Sequence, residues 1–155
     1  MADSLAYSDL LKKKRPCPFD NPPDKEVVTQ NETAYLTYSL ASYHLDQLLV
    51  VPKRHVVHVS DLTDKEIVDC QELQTIGWDI LRALGHGGVS FLLREGDSTG
   101  KTVQHMHYNI IPDTRLGDMD AKGEEKRNIM TEEEITATVS RLKDALSKRA
   151  SIQKT

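Results

Sequence analysis

The 155-residue sequence predicts an α+β domain: a five-stranded, mainly antiparallel sheet with helices packed on it, plus a C-terminal helix. Two long segments carry apolar residues three or four apart, the spacing of a helix with one buried stripe. Five short runs rich in Val, Ile, Leu and Tyr are bounded by turn-forming residues, which is strand patterning. The order runs helix, three strands, helix, two strands, helix, which suggests a largely antiparallel sheet.

Each element has a local reason. Ser4 to Lys14 forms a short helix on Leu5, Tyr7, Leu10 and Leu11; its basic "KKKR" suits a C-terminus and Pro16 stops it. "RPCPFDNPPD" is a proline-rich loop. "EVVTQ" and "TAYLTYSL" are strands separated by the turn-like "NET", and Leu45 to Val51 is a third, ended by Pro52. The next helix opens with a capping box of Thr63 and Glu66 and closes at Gly85. Ile67, Cys70, Leu73, Ile76, Ile80 and Leu84 form its stripe. "VSFLLRE" and "TVQHMHYNIIP" are two further strands around a loop, "GDSTGK". "DTRLGDMDAKGEEKRN" is polar. The last helix is capped by Thr131 and Glu134 and carries Ile135, Val139, Leu142 and Leu146, a stripe that must bury on its own domain or a second subunit.

Composition bounds what the chain does. A net charge of −4 gives no electrostatic footprint for nonspecific nucleic-acid binding. No apolar run matches a signal peptide or a membrane span, and the two cysteines, Cys17 and Cys70, make no disulfide framework. A soluble cytoplasmic protein is the expectation.

The chemistry concentrates in "TVQHMHYNIIPD". Alternation along a strand sets His105, His107 and Asn109 on one face, backed by Met106, Tyr108 and Ile110 on the other. The bland reading is a chance pair of surface histidines, or a hydrogen-bonded core pair. The functional reading is transfer at phosphorus, because a neutral imidazole nitrogen is a competent nucleophile near pH 7. The preceding "GDSTGKT" supplies the backbone amide of Gly100, hydroxyls on Ser98, Thr99 and Thr102, and the cation of Lys101. It is not a P-loop, since Gly96 to Gly100 is one residue short and a strand, not a helix, follows.

With these motifs the sequence resembles the histidine triad (HIT) superfamily from Cys17 to Asp118, on "CPFD", "LLVVPKRHVVHVSDLTDKE", "GKTVQHMHYNIIP" and the trailing "LGD". The corresponding division is an N-terminal helical extension (1–16), a HIT-like domain (17–118), and a polar linker with a C-terminal helix (119–155). The resemblance implies a sheet with helices on one side, a homodimer, and attack on the α-phosphate of a nucleotide. His107 matches the nucleophile that forms a nucleotidyl-imidazole, His105 the first histidine that orients its surroundings, and Gly100 and position 101 the loop that contacts the transferred phosphate. Water, phosphate or a sugar phosphate then takes the nucleotidyl group. The implied substrates are dinucleoside polyphosphates, nucleotide sugars or phosphoramidates. The alternative is a nucleotide-binding regulatory protein with little turnover.

Departures from the family pattern are specific. The third histidine is Asn109, which holds a phosphate oxygen but does not titrate near neutral pH, and leans toward transferase chemistry. Asp46-Gln47 replaces a glycine-histidine pair, so Gln47 takes the place of a buttress for the first histidine. Lys101 stands where relatives carry Gln and favours a more highly charged substrate. Ser39 falls near the acidic residue that grips ribose in many relatives. No cofactor is required by this reading. A structural zinc is implied at Cys17, Asp20, His55 and His105, against the simpler view that Cys17 is small and buried and Asp20 caps a turn. His58 and His86 are read as surface residues.

Overall fold

A computed structural model describes residues 17–39, 41–99, 103–115 and 128–152. The expected N-terminal helix, Gly100, Lys101 and Thr102, and most of the polar segment 113–128 lie outside those residues.

The sheet is built from β1 (Val27–Gln30), β2 (Ala34–Tyr38), β4 (Leu48–Pro52), β5 (Val89–Leu93) and β6 (Tyr108–Pro112), in the spatial order β1-β2-β4-β6-β5. Every neighbouring pair is antiparallel. A two-residue ladder that the sequence did not signal joins β3 (Ala41–Ser42) to β7 (Asn128–Ile129). The third expected strand starts later than Leu45, because residues 45–47 make a turn in which Gln47 N–H donates to His44 O at 3.0 Å.

Helix α1 (Asp64–Ala83) keeps its capping box: Thr63 accepts from Glu66 N–H while the Glu66 side chain accepts from Thr63 N–H. It lies close on one face of the sheet through Gly77, where a Cβ would come within 2.7 Å of Ile110 Cδ1 and 3.5 Å of Leu48 Cδ1. Only glycine permits that approach without repacking. The buried stripe runs through Cys70, Leu73, Ile80 and Leu81. Ile67, assigned to that stripe from spacing, is 49% exposed, because the buried face of the first turns runs through Glu66, Asp69 and Cys70, with Asp69 accepting from the Thr33 hydroxyl at 2.7 Å. Gly85, at φ +95°, ends the helix as expected.

Helix α2 (Glu132–Ile152) begins at Thr131, whose hydroxyl accepts from Glu134 N–H at 3.2 Å. It buries Ile135, Val139, Leu142 and Ala145 in the main core, against α1, β1 and β2. The stripe is therefore covered by its own chain. No helix among the described residues is long and apolar enough to cross a membrane.

Helix α1 faces the even-numbered residues Leu36, Leu48 and Ile110, so alternation puts Tyr35, Thr37, Leu49, Asn109 and Ile111 on the opposite face. The candidate site lies there.

Candidate active site

The row does not sit wholly on a strand. Only Asn109 lies within β6; His105 and His107 precede it, where pairing with β5 has ended. The Met106 N–H donates instead to Val56 O at 2.7 Å, so the segment is held by the chain that follows β4.

His107 is half-buried, and its Nδ1 lies 2.9 Å from His105 O. A carbonyl only accepts, so Nδ1 carries the proton, and the neutral ring has its lone pair on Nε2. Phe19 packs edge-on against this ring at 4.9 Å between centroids. The Phe19 segment is in turn fixed by Tyr35, whose hydroxyl donates to Phe19 O at 2.6 Å. His105 therefore orients the nucleophile candidate through its backbone carbonyl, while its own ring turns elsewhere.

That ring is fully buried. Its Nε2–H donates to Pro52 O at 2.7 Å, which leaves the lone pair of the neutral ring on Nδ1. Nδ1 faces Asp20 Oδ1 at 3.0 Å and Cys17 Sγ at 3.6 Å, and the same carboxylate oxygen lies 3.1 Å from His55 Nδ1. The structure thus brings together Cys17, Asp20, His55 and His105, with one ligand atom of each within 4.8 Å of the others. Burial pushes the His105 pKa down, so a second ring proton is disfavoured. Burial pushes the Asp20 carboxyl up, but His55 and then His105 outweigh it and hold the pKa below its ordinary value. Two acceptors, Nδ1 and Oδ1, meet at hydrogen-bond distance. A cation or a shared proton must lie between them.

At the other end of the row Gln47 does not buttress His105. Its Nε2–H donates to Asn109 Oδ1 at 3.1 Å, and its Oε1 accepts from Tyr43 N–H at 2.9 Å. The Asn109 amide also donates to Leu92 O at 3.3 Å. The third position is consequently a fixed amide rather than a group awaiting a proton. Ser39 is buried just beyond β2, and Ser98 is exposed in the single 3-10 turn Asp97–Thr99.

Sequence reading passed over several neighbours. Phe19 stood in the quoted "CPFD", and only its contact with His107 marks it. Tyr43 and Arg94 stack with the Arg94 guanidinium 5.7 Å from the ring centroid, and Arg94 Nη2 donates to Tyr43 Oη at 3.0 Å. His58 is exposed and pairs with Glu95 at 3.2 Å, as a surface residue would. His86 is not a surface residue: its side chain is 13% exposed and held between Asp46 and Asp113. His44, Asp46 and His86 also gather three ligand-type atoms within 4.8 Å. Arg141 sits on the Asp46 carboxylate, however, and His44 Nδ1 accepts Asp46 N–H at 3.0 Å, so this is an ion-pair cluster.

Comparisons with known proteins bear on the family and the fold. The family model described as "HIT domain" matches residues 22–116. The chain is 32% identical over 88 residues to a bis(5'-adenosyl)-triphosphatase of Dictyostelium discoideum, covering 56% of this chain and 59% of that one. The match thus spans less than two-thirds of that relative. A Plasmodium falciparum diadenosine triphosphate hydrolase, solved in complex with cyclomarin A, is 18% identical with a TM-score of 0.68, over 93% of this chain and 98% of that one. A zinc-bound histidine triad family protein from Mycobacterium smegmatis is 19% identical with a TM-score of 0.62, over 96% and 97%. These structures share the fold.

Proposed function

The chain belongs to the HIT domain family, and from that premise we propose that it is a nucleotide hydrolase or nucleotidyltransferase acting at an α-phosphate. His107 is the nucleophile: Nε2 attacks phosphorus, the bond to the leaving group breaks, and a nucleotidyl-histidine forms. Water or a phosphate acceptor then displaces the histidine. The observation that carries this reading is the 2.9 Å contact of His107 Nδ1 with His105 O, which fixes the tautomer that presents Nε2 as a base and nucleophile. The similarity to a bis(5'-adenosyl)-triphosphatase supports dinucleoside polyphosphates as the substrate class.

A structural zinc fits the residues at the base of the loop. A tetrahedral zinc separates a thiolate from an imidazole nitrogen by about 3.6 Å, and Cys17 Sγ stands 3.6 Å from His105 Nδ1. Cys17, Asp20, His55 and His105 would hold it, and it would supply the positive charge that the facing Nδ1 and Oδ1 acceptors call for. Held there, it would fix the Phe19 segment and the His105 carbonyl against His107. A homodimer belongs to the same reading, with β5 as an edge strand of the sheet.

Intact-mass spectrometry after rapid mixing with adenylated and guanylated substrates tests the nucleophile. A nucleotidyl mass increase in the wild type, absent in His107→Ala, is expected. Turnover retained by His107→Ala removes it from that role. Asn109 in place of a titrating group favours the second reading, a binding protein; nucleotide-dependent thermal stabilisation without any product would establish it.

A further inference from the structure

We propose that Arg94 is a specificity-determining residue that binds the phosphate beyond the scissile bond, selecting substrates whose leaving group departs as a phosphate anion rather than as an amine. The inference rests on the reaction proposed above and names its leaving-group class.

Position is the first ground. Strands β5 and β6 pair Leu92 with Asn109 and Leu93 with Tyr108. Arg94 and His107 both lie just past the last pair of that ladder, at the same end of the two strands. Arg94 shares the parity of Leu92, so its side chain leaves the sheet on the face that carries Asn109.

The second ground is how the side chain is held. Arg94 is half-buried, donates to Tyr43 Oη at 3.0 Å and lies over the Tyr43 ring. Tyr43 is buried against Ile111. Its N–H reaches Gln47, and Gln47 reaches Asn109. A continuous chain of contacts therefore runs from the guanidinium to the third position of the row. Among the described residues no carboxylate pairs with Arg94, whereas Arg54, Arg82 and Arg141 each meet one. A half-buried cation on the face that carries Asn109, braced by an aromatic ring and with no carboxylate partner among the described residues, is suited to receive an anion.

The chemistry decides which anion. When His107 Nε2 bonds to phosphorus, the bond from phosphorus to the leaving atom breaks and that atom keeps the electron pair. An amine must take up a proton at this point, and Asn109 has none to give near neutral pH. Arginine does not supply one either, since it stays protonated. An anhydride oxygen needs no proton. It departs on a phosphate that is a stable anion, and what speeds its departure is positive charge beside it. An amide at the third position, linked through Gln47 and Tyr43 to a fixed cation, suits that leaving group and not the other.

The test compares two substrates that transfer the same adenylyl group: diadenosine triphosphate, which releases ADP, and an adenosine 5'-phosphoramidate, which releases an amine. Arg94→Gln should lower kcat/KM for the triphosphate about tenfold to a hundredfold, leave the phosphoramidate within about threefold, and be partly rescued by Arg94→Lys. Equal losses on both substrates overturn the proposal. Calorimetry of AMP and ADP binding separates it from the reaction itself. A wild type that turns over nothing refutes the reaction, yet loss of its preference for ADP over AMP in Arg94→Gln still supports the phosphate contact. A preference that survives the substitution, or one that is absent from the wild type, overturns it.

Discussion

His86→Gln should destabilise the protein at pH 6 and much less at pH 9. The His86 ring spans two carboxylates, with Nε2 2.7 Å from Asp46 Oδ2 and Nδ1 2.7 Å from Asp113 Oδ2. Both bonds exist together only when both nitrogens carry protons, so the bridge is complete in the imidazolium. Burial pulls the His86 pKa down, but Asp46 and then Asp113 more than reverse it, and the net shift is above the ordinary 6.5. A histidine raised on folding contributes stability that is complete below its unfolded pKa and lost as pH rises through the folded one. The carboxylates run the other way. Asp46, raised by burial but lowered further by Arg141 and His86, and Asp113, lowered chiefly by His86, contribute above their ordinary 3.8 and lose it on acidification.

The magnitude follows from exposure. The Asp46 side chain is only 9% exposed, so its charged hydrogen bond contributes about 1.5–3 kcal/mol. Asp113 is 45% exposed, so solvent screens its bond and it adds little. Arg141 still covers Asp46 in the variant, which removes the penalty of a stranded charge and favours the low end. The expected loss is about 2 kcal/mol at pH 6, or about 4–8 °C in Tm for a chain of this size. Urea and thermal unfolding of both proteins at pH 6 and pH 9 measure it. An equal gap at the two pH values would refute the imidazolium bridge.

Three other outcomes are expected. Asn109→His, which restores a titrating group, should move products from phosphorolysis toward hydrolysis by about tenfold; an unchanged ratio ends the lean toward transfer. Untagged protein should carry about one zinc per chain, and Cys17→Ser should lose most of it; a metal content near zero in the wild type ends the structural zinc. Leu142→Ala should cost about 2–5 kcal/mol in urea unfolding, because the side chain is fully buried in the shared core; a loss under about 1 kcal/mol would mean that α2 is not part of that core.

Local signals were read well because local physics sets them. The capping box at Thr63, the stop at Gly85 and the strands at Val27, Ala34 and Val89 depend on residues within a few positions. The errors lie where partners from afar decide. Spacing alone put Ile67 in the stripe, yet Thr33, from the turn between β1 and β2, binds Asp69 and the helix buries that side instead. Leu45 looked like strand, yet a turn closed by His44 and Gln47 precedes β4. The four candidate zinc ligands were recognised from the resemblance, with no counterpart in hydropathy or periodicity.

The site shows the same division, and it explains why its selectivity was the hardest part to see. Alternation grouped His105, His107 and Asn109 as one row, yet only Asn109 lies on a strand, and the partners of the His105 ring and the Asn109 amide are Pro52, Asp20, Gln47 and Leu92, drawn from three other parts of the chain. An arginine at the end of a half-exposed strand reads in one dimension as a solvated charge. That arginine follows the last pair of β5 with β6, at the end of the ladder that His107 precedes, and Tyr43, 51 positions earlier, holds its side chain. A row that names the reaction is compact in sequence because adjacent atoms must attack one phosphorus. Groups that choose the leaving group act one bond further out, so any strand that ends there can supply them, and no spacing rule ties them to the row.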